Sequence, residues 1–236
     1  MRRRVAASRD YRRGRVSVCG DGVVIMLSPQ TVGLLLSALL LASWAGAPRS
    51  ARADDQAPAA AQRYRSELIR SARLEWGLSA PVADFAAQLH QESGWNPQAV
   101  SPVGAQGLAQ FMPATADWVS GIMPELKTNQ PFNPSWAIRA LTHYDRWLWE
   151  RLRGDDACER MAMTLSAYNG GLGWVQRDRR LAEKRGLNGQ RWFSHIAGVN
   201  AGRSAANFRE NRHYPQRILM ELAPRYLTWG GASCVH

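Results

Sequence analysis

Residues 81–94 read Pro81-Val82-Ala83-Asp84-Phe85-Ala86-Ala87-Gln88-Leu89-His90-Gln91-Glu92-Ser93-Gly94. Val82, Phe85, Leu89 and Glu92 recur at intervals of three, four and three, the spacing of one face of an α-helix. Ser79 is placed to cap that helix and Gly94 to end it. The spacing therefore puts a carboxylate in line with an apolar stripe, pointing inward. It also puts the carboxylate in the last turn, where unpaired carbonyls and the negative end of the dipole disfavour an anion. Desolvation and dipole both raise a carboxyl pKa, as a general acid working near neutral pH requires. The same features fit a buried structural glutamate neutralised by an arginine or bonded to backbone donors.

The helical period recurs along the chain. Residues 64–76 predict a charged amphipathic helix on Leu68, Ile69 and Leu74. Pro113 opens another through Trp118, and Pro134 a long one with Ala137, Leu141, Tyr144, Leu148 and Leu152 in one stripe, stopped by Gly154. Asp156 begins the next, with Met161, Leu165 and Tyr168 inward and Asn169-Gly170-Gly171 as its end. A final helix is expected over 215–227, opened by His213-Tyr214-Pro215. No stretch alternates for long with period two and no repeat is visible, so the expected fold class is all-α with loops.

The chain has 236 residues, 45% hydrophobic and 21% charged, which excludes disorder as the global state. The formal charge of +11 would suggest nucleic acid were it spread over the chain. Residues 1–53 alone carry nine Arg and two Asp, leaving a body too mildly basic for a DNA-binding field, so no nucleic acid partner is expected. Those residues read as a signal peptide. Arg2, Arg3, Arg4, Arg12, Arg13 and Arg15 form a basic head, 32–47 an apolar run, and Ala51-Arg52-Ala53 a cleavage site, with Met26 an alternative start. The apolar run falls short of the ~20 residues that span a bilayer, so membrane contact is expected only through an uncleaved signal. The expected organisation is a signal over 1–53, a linker over 54–62, one domain over 63–230 and a tail over 231–236, in a periplasmic protein. Cys19 lies in the leader, leaving Cys158 and Cys234. Two cysteines in an exported domain are expected to pair, closing a loop of about 75 residues worth roughly 4 kcal/mol in the chain-entropy treatment. The alternative is two unrelated buried thiols.

Three further segments bear on Glu92. Ser101-Pro102-Val103-Gly104 and Gly107-Leu108-Ala109-Gln110-Phe111-Met112-Pro113 form a loop of small residues with Gln110 as a neutral two-way hydrogen-bonding group. Tyr168 lies on the buried side of its helix where the helix stops, so its hydroxyl needs a partner. Asn169 is either a cap or a ligand-facing amide. Tyr214 reads as a cleft residue or a core one.

Together, 92–97, 101–115 and Ala167-Tyr168-Asn169-Gly170, followed by Glu210-Asn211-Arg212-His213-Tyr214, resemble the soluble lytic transglycosylase domain, family 1, in order and spacing. The resemblance covers about 81–220. Ala109 stands where that family usually has Met, Pro215 where an aliphatic residue often follows the Tyr, and Ala137 and Leu141 where Asn and Gly are frequent. The resemblance implies a lysozyme-like helical domain whose loops line a glycan cleft. It also implies cleavage of the β-1,4 bond between N-acetylmuramic acid and N-acetylglucosamine in peptidoglycan, leaving 1,6-anhydromuramic ends. Glu92 would be the acid, and Ser101, Gln110, Met112, Tyr168, Asn169 and Tyr214 would bind sugar, N-acetyl group or the acid itself. Independently, 93–116 and 161–176 contain no Asp or Glu, so the motif segments offer one carboxylate where glycoside hydrolysis normally uses two. A goose-type-lysozyme-like hydrolase would recruit a second, with Asp84, Asp117 and Asp145 the candidates. A non-catalytic wall-binding or assembly module is a further alternative, against which Glu92 itself argues. His90, His143, His195, His213 and His236 show no metal-ligand pairing, and neither metal nor cofactor is expected. The expected partner is the peptidoglycan strand. Wall turnover, a secretion or conjugation machine and phage lysis stay open as settings.

Overall fold

The computed structural model describes residues 56–234; the leader expected over 1–53, with its cleavage site, lies outside the described residues. Among the described residues the α-helices are α1 (Ala59–Gln62), α2 (Arg65–Trp76), α3 (Val82–Ser93), α4 (Pro113–Ile122), α5 (Pro134–Glu150), α6 (Ala157–Gly170), α7 (Leu172–Lys184) and α8 (Ala205–Gln216). The only strand-like pairings among them are two isolated bridges, Val100 with Gln106 and Gln106 with Phe111, which staple the loop before α4.

α3 is the central element. Its first eight residues, Val82 to Leu89, are all buried, Asp84 and Gln88 included. A helix enclosed on every side has no wet face to take its polar residues, so these must find internal partners. It lies against α2 and against the turns that follow α8, while α6 packs on α5, α7 and α8. Phe85, Leu89, Trp95, Leu108, Ile138, Leu141, Met161, Leu165 and Tyr226 belong to one core cluster.

The helix ends explain where the sequence is and is not legible. Asn133 caps α5, its Oδ1 accepting from Ser135 N at 3.0 Å, with Pro134 at the first helical position. Asp156 caps α6 by accepting from Glu159 N at 2.8 Å. Ser79 does not cap α3; Pro81 holds the cap position and makes no side-chain bond. The C-terminal segment closes that end instead. Ala83 N donates to Gly231 O at 2.9 Å, and Ser233 N donates to Asp84 Oδ2 at 2.9 Å. Residues 231–234 are thus bonded into the domain rather than trailing from it as a tail. At the other edge, four of the nine residues of the expected linker form α1, with Ala61 buried.

The last helix departs most from expectation. α8 begins ten residues early, at Ala205, where Ser204 Oγ accepts from Asn207 N at 3.3 Å, and Pro215 sits inside it rather than opening it. Proline has no N–H for the ladder and crowds the carbonyl four residues back, and the chain widens directly after it into a π-helical turn, Arg217–Leu222, then a 3-10 turn, Ala223–Tyr226. α7 has no counterpart among the helices expected from the sequence. Its buried face is only Val175, Asp178 and Ala182, one of them charged, too thin a stripe to show as a period.

Cys158, at the start of α6, is bonded to Cys234, their Cα atoms 4.6 Å apart and 76 residues apart in sequence. The bond fastens the chain end to α6 next to the segment that closes α3. Replacing Cys158 with Ser should therefore lower unfolding free energy by about 2–4 kcal/mol, read as a lower denaturant midpoint. Reductant should lower the wild type to match and leave the variant unmoved.

Candidate active site

Glu92 stands one residue before the end of α3, and Gly94 ends the helix at φ +58°, its N–H donating to His90 O. Trp95 follows at φ +69° with its ring fully inside, the indole N–H donating to Tyr226 Oη at 2.8 Å. A bulky residue in the left-handed region costs of order 1–3 kcal/mol, and core packing of the indole holds it there. The sharp turn sends the chain off α3 and leaves Glu92 at the mouth of the helix end, only partly covered.

The loop of 99–112 leads from the end of α3 to α4 and is held by its own bonds. Gly107 has φ +75°, and a Cβ there would lie 1.8 Å from Pro131 O, so only glycine fits. Ser101 holds the tight turn at the loop's start, its Oγ accepting from Ala105 N at 2.9 Å. Gln110, itself at φ +47°, donates through Nε2 to Gly107 O at 2.8 Å and Ala99 O at 3.1 Å. Ser101 and Gln110 therefore shape the loop, and Met112, 43% exposed, closes it as the residue before α4.

The remaining site residues come from α6 and α8. Tyr168 Oη donates to Ala109 O at 2.7 Å, which supplies the partner its position required and ties α6 to the loop. Asn169 is still helical and exposed; the turn after it is made by Gly171, at φ +92°, so Asn169 is not the cap. Asn169 Oδ1 accepts from Asn211 Nδ2 at 2.9 Å. Tyr214, buried in the last turn of α8, donates its hydroxyl hydrogen bond to Glu92 Oε1. α8 thus reaches Glu92 directly through Tyr214, and α6 is joined to the loop through Tyr168 and to α8 through Asn169.

Burial is the largest influence on Glu92 and pushes its carboxyl up to about 8. The Tyr214 hydrogen bond pulls the other way, because it favours the anion, and the charge of Glu210, one turn earlier on α8, adds to the rise. Tyr168 and Tyr214 are raised well above the usual phenol range, by burial first and by the Glu92 charge second, so both remain hydrogen-bond donors at neutral pH.

Sequence reasoning passes over what fixes these residues. Buried Asn211 donates to Ser166 O at 2.8 Å, and its Oδ1 accepts from Ser166 Oγ at 2.8 Å and Arg212 Nη1 at 2.6 Å. Arg212 in turn donates through Nη2 to Asp178 Oδ2 at 2.6 Å and to Val199 O at 2.7 Å. Asp178, fully buried, also pairs with Arg203 and accepts from Ala201 N at 2.9 Å. Asn211 and Arg212 lie within the quoted 210–214 motif but carry no distinguishing signal, and Asp178 is one of two acids, with Glu183, in a basic helix.

None of the three acids considered as a second carboxylate is presented to this site. Asp84 and Asp145 have no exposed surface. Asp84 is occupied by Ser233 N, and Asp145 Oδ1 accepts from Gln88 Nε2 at 3.5 Å. Burial raises both, Asp84 to about 6 and Asp145 well above the carboxylate range. Exposed Asp117 accepts from Asn129 Nδ2 at 2.6 Å.

The sequence pattern of the transglycosylase SLT domain family matches residues 67–191, which include Glu92, the loop and Tyr168-Asn169 but stop short of Tyr214. Membrane-bound lytic murein transglycosylase F of Haemophilus influenzae (strain PittGG) is 31% identical over 156 residues, 66% of this chain and 27% of that protein. The protein of that name from Vibrio cholerae is 32% identical over 181 residues, 69% of this chain and 32% of the other. The crystal structure of the 70 kDa soluble lytic transglycosylase SLT70 from Escherichia coli is similar with a TM-score of 0.50 at 25% identity, covering 72% of this chain and 25% of that one. The chain thus spans between a quarter and a third of the length of these relatives.

Proposed function

The chain belongs to the transglycosylase SLT domain family, and from that premise we propose that it is a peptidoglycan lytic transglycosylase with Glu92 as its single proton carrier. One observation carries the proposal: burial pushes the Glu92 carboxyl up to about 8 while the Tyr214 hydroxyl holds one of its two oxygens. Protonated Glu92 gives its proton to the oxygen of the β-1,4 bond as the bond from C1 of N-acetylmuramic acid to that oxygen breaks. The C6 hydroxyl oxygen of the same sugar bonds to C1, and its proton passes to the Glu92 carboxylate. One C–O bond is exchanged for another, no water is consumed, and Glu92 ends as it began.

Tyr214 fits the intermediate stage. Its hydroxyl, already on Oε1, stabilises the transient carboxylate and leaves Oε2 to move the proton. Asn169, Met112, Tyr168, Gln110 and Ser101 would hold the sugars, directly or by fixing the loop that does. A general acid must be protonated, so kcat/KM should hold across neutral pH and fall as pH rises through about 8. A fall in the ordinary carboxylate range would contradict the assignment.

Purified sacculi are the decisive substrate. Mass spectrometry of the released fragments should find anhydromuramic ends; reducing ends as the main product would favour a hydrolase. The location we assign is periplasmic, with the leader removed after Ala53. The Cys158–Cys234 bond supports an oxidising compartment. Protein recovered from the periplasm should begin at Asp54, and full-length protein in the cytosol would count against export.

A further inference from the structure

Most of the large aromatic residues are core, but one group is not. Between α4, α5 and the start of α7 lies an open recess of about 310 Å³ lined by Ala114, Thr115, Trp118, Tyr144, Trp147 and Leu172. Trp118 is 38% exposed, with its ring centroid 4.9 Å from that of Trp147 and 5.7 Å from that of Tyr144. The Arg151 guanidinium covers one face of Trp147 at 3.7 Å and steadies the ring. The indole N–H groups of Trp118 and Trp147 have no protein acceptor among the described residues, a state they share with Trp149, Trp174, Trp192 and Trp229, but Trp118 is exposed and Trp147 half-buried beside it in the recess. A partly exposed cluster of aromatic rings lining an open recess is poorly suited to core packing and well suited to an amphipathic ligand.

The recess adjoins the elements that carry the site residues. Met112 precedes α4, and the next turns of that helix supply Thr115 and Trp118. Leu172 follows directly on Tyr168-Asn169-Gly170-Gly171. Tyr144 lies 5.4 Å from Tyr168 between ring centroids, and Tyr168 reaches the loop through Ala109. Tyr168 is thus the link between the recess and the loop beside the site.

The geometry points to a sugar-stacking subsite on Trp118 and Trp147, which takes a pyranose ring of the same glycan strand away from the scissile bond. A pyranose presents a flat C–H face to an aromatic ring while its hydroxyls and N-acetyl group remain free for the indole N–H groups and Thr115. The subsite rests on the lytic transglycosylase proposal for its substrate but not for its chemistry, and it would let the enzyme favour long strands over short fragments.

The test uses the Glu92→Gln protein, which binds without turnover, and chitohexaose as the probe. The indole N–H resonances of Trp118 and Trp147 should shift saturably on titration, and no shift would overturn the subsite. Adding Trp118→Ala should weaken binding by about tenfold, and Trp118→Phe, which keeps a stacking face, should restore most of it. In the otherwise wild-type chain, Trp118→Ala should raise KM on long strands with kcat nearly kept. Unchanged affinity in a folded Trp118→Ala protein overturns the subsite, and an apolar helix binding the recess while chitohexaose does not would assign it to a protein partner instead. The two proposals fail separately. Affinity lost on Trp118→Ala, with reducing ends as the wild-type product, leaves the subsite standing and removes the transglycosylase. Affinity unchanged on Trp118→Ala, with anhydromuramic ends as the wild-type product, does the reverse.

Discussion

Glu92→Gln should yield a folded protein that cleaves peptidoglycan at least ~10²–10⁴-fold more slowly than the wild type. Glutamine keeps the size of the side chain and can still accept from Tyr214, but it has no proton to give and no carboxylate to receive one. Both halves of the proposed cycle are lost together, so the effect should lie at or beyond the upper end. Stability should move the other way, with a definite pH dependence. The carboxyl has its ordinary value of 4.5 when unfolded and about 8 when folded, so the unfolded chain sheds a proton that the folded one keeps. The stability tied to that proton is whole below 4.5, declines as pH rises and is gone above 8. The amide of the variant does not titrate, so Glu92→Gln should melt with the wild type near pH 4 and above it near pH 8.5. A folded variant that cleaves sacculi at near wild-type rate would show that Glu92 is not the acid.

The second large effect is structural. Asp178→Ala should cost about 3–5 kcal/mol, because it strips the shared carboxylate from two guanidinium groups in the interior. Arg203 and Arg212 both rest on Asp178 Oδ2, with side chains 4% and 11% exposed. The loss should reach the site, since Arg212 holds Asn211, and Asn211 holds Asn169. KM should therefore rise even where the variant is folded. The exposed Arg146–Glu150 pair on α5 provides the contrast, since Glu150→Ala should change stability by no more than about 0.5 kcal/mol. If denaturant unfolding finds the two substitutions equally mild, the buried cluster does not support the site as described.

The position of Glu92 is legible because period and punctuation agree: Val82, Phe85 and Leu89 set the face, and Gly94 sets the end. The helices opened by Pro113, Pro134 and Asp156 are legible for similar reasons, two carrying caps visible in the sequence. Long-range pairings are not. Tyr214 meets Glu92 across 122 residues, and local spacing says nothing about which face of α8 turns to α3. Polar interiors are hidden as well, because a periodic reading sends Asp178, Asn211 and Arg212 to solvent, whereas here they satisfy one another inside. Ser79 loses its capping role to the backbone of residues that stand far away in sequence and look like a tail. Pro215 reads as a helix start because that is where proline costs least; here tertiary packing carries the helix through it into the π turn.

The central claim is that one carboxyl moves the proton both ways and the sugar's own hydroxyl closes the ring, with no water entering. Digestion of sacculi in water enriched in oxygen-18, followed by mass spectrometry of the new glycan ends, tests that claim directly. Anhydromuramic ends should carry no heavy oxygen from the first turnover onward. Muramic ends that each take up one oxygen-18 at C1 as cleavage proceeds would mean that water is the nucleophile, and would contradict it.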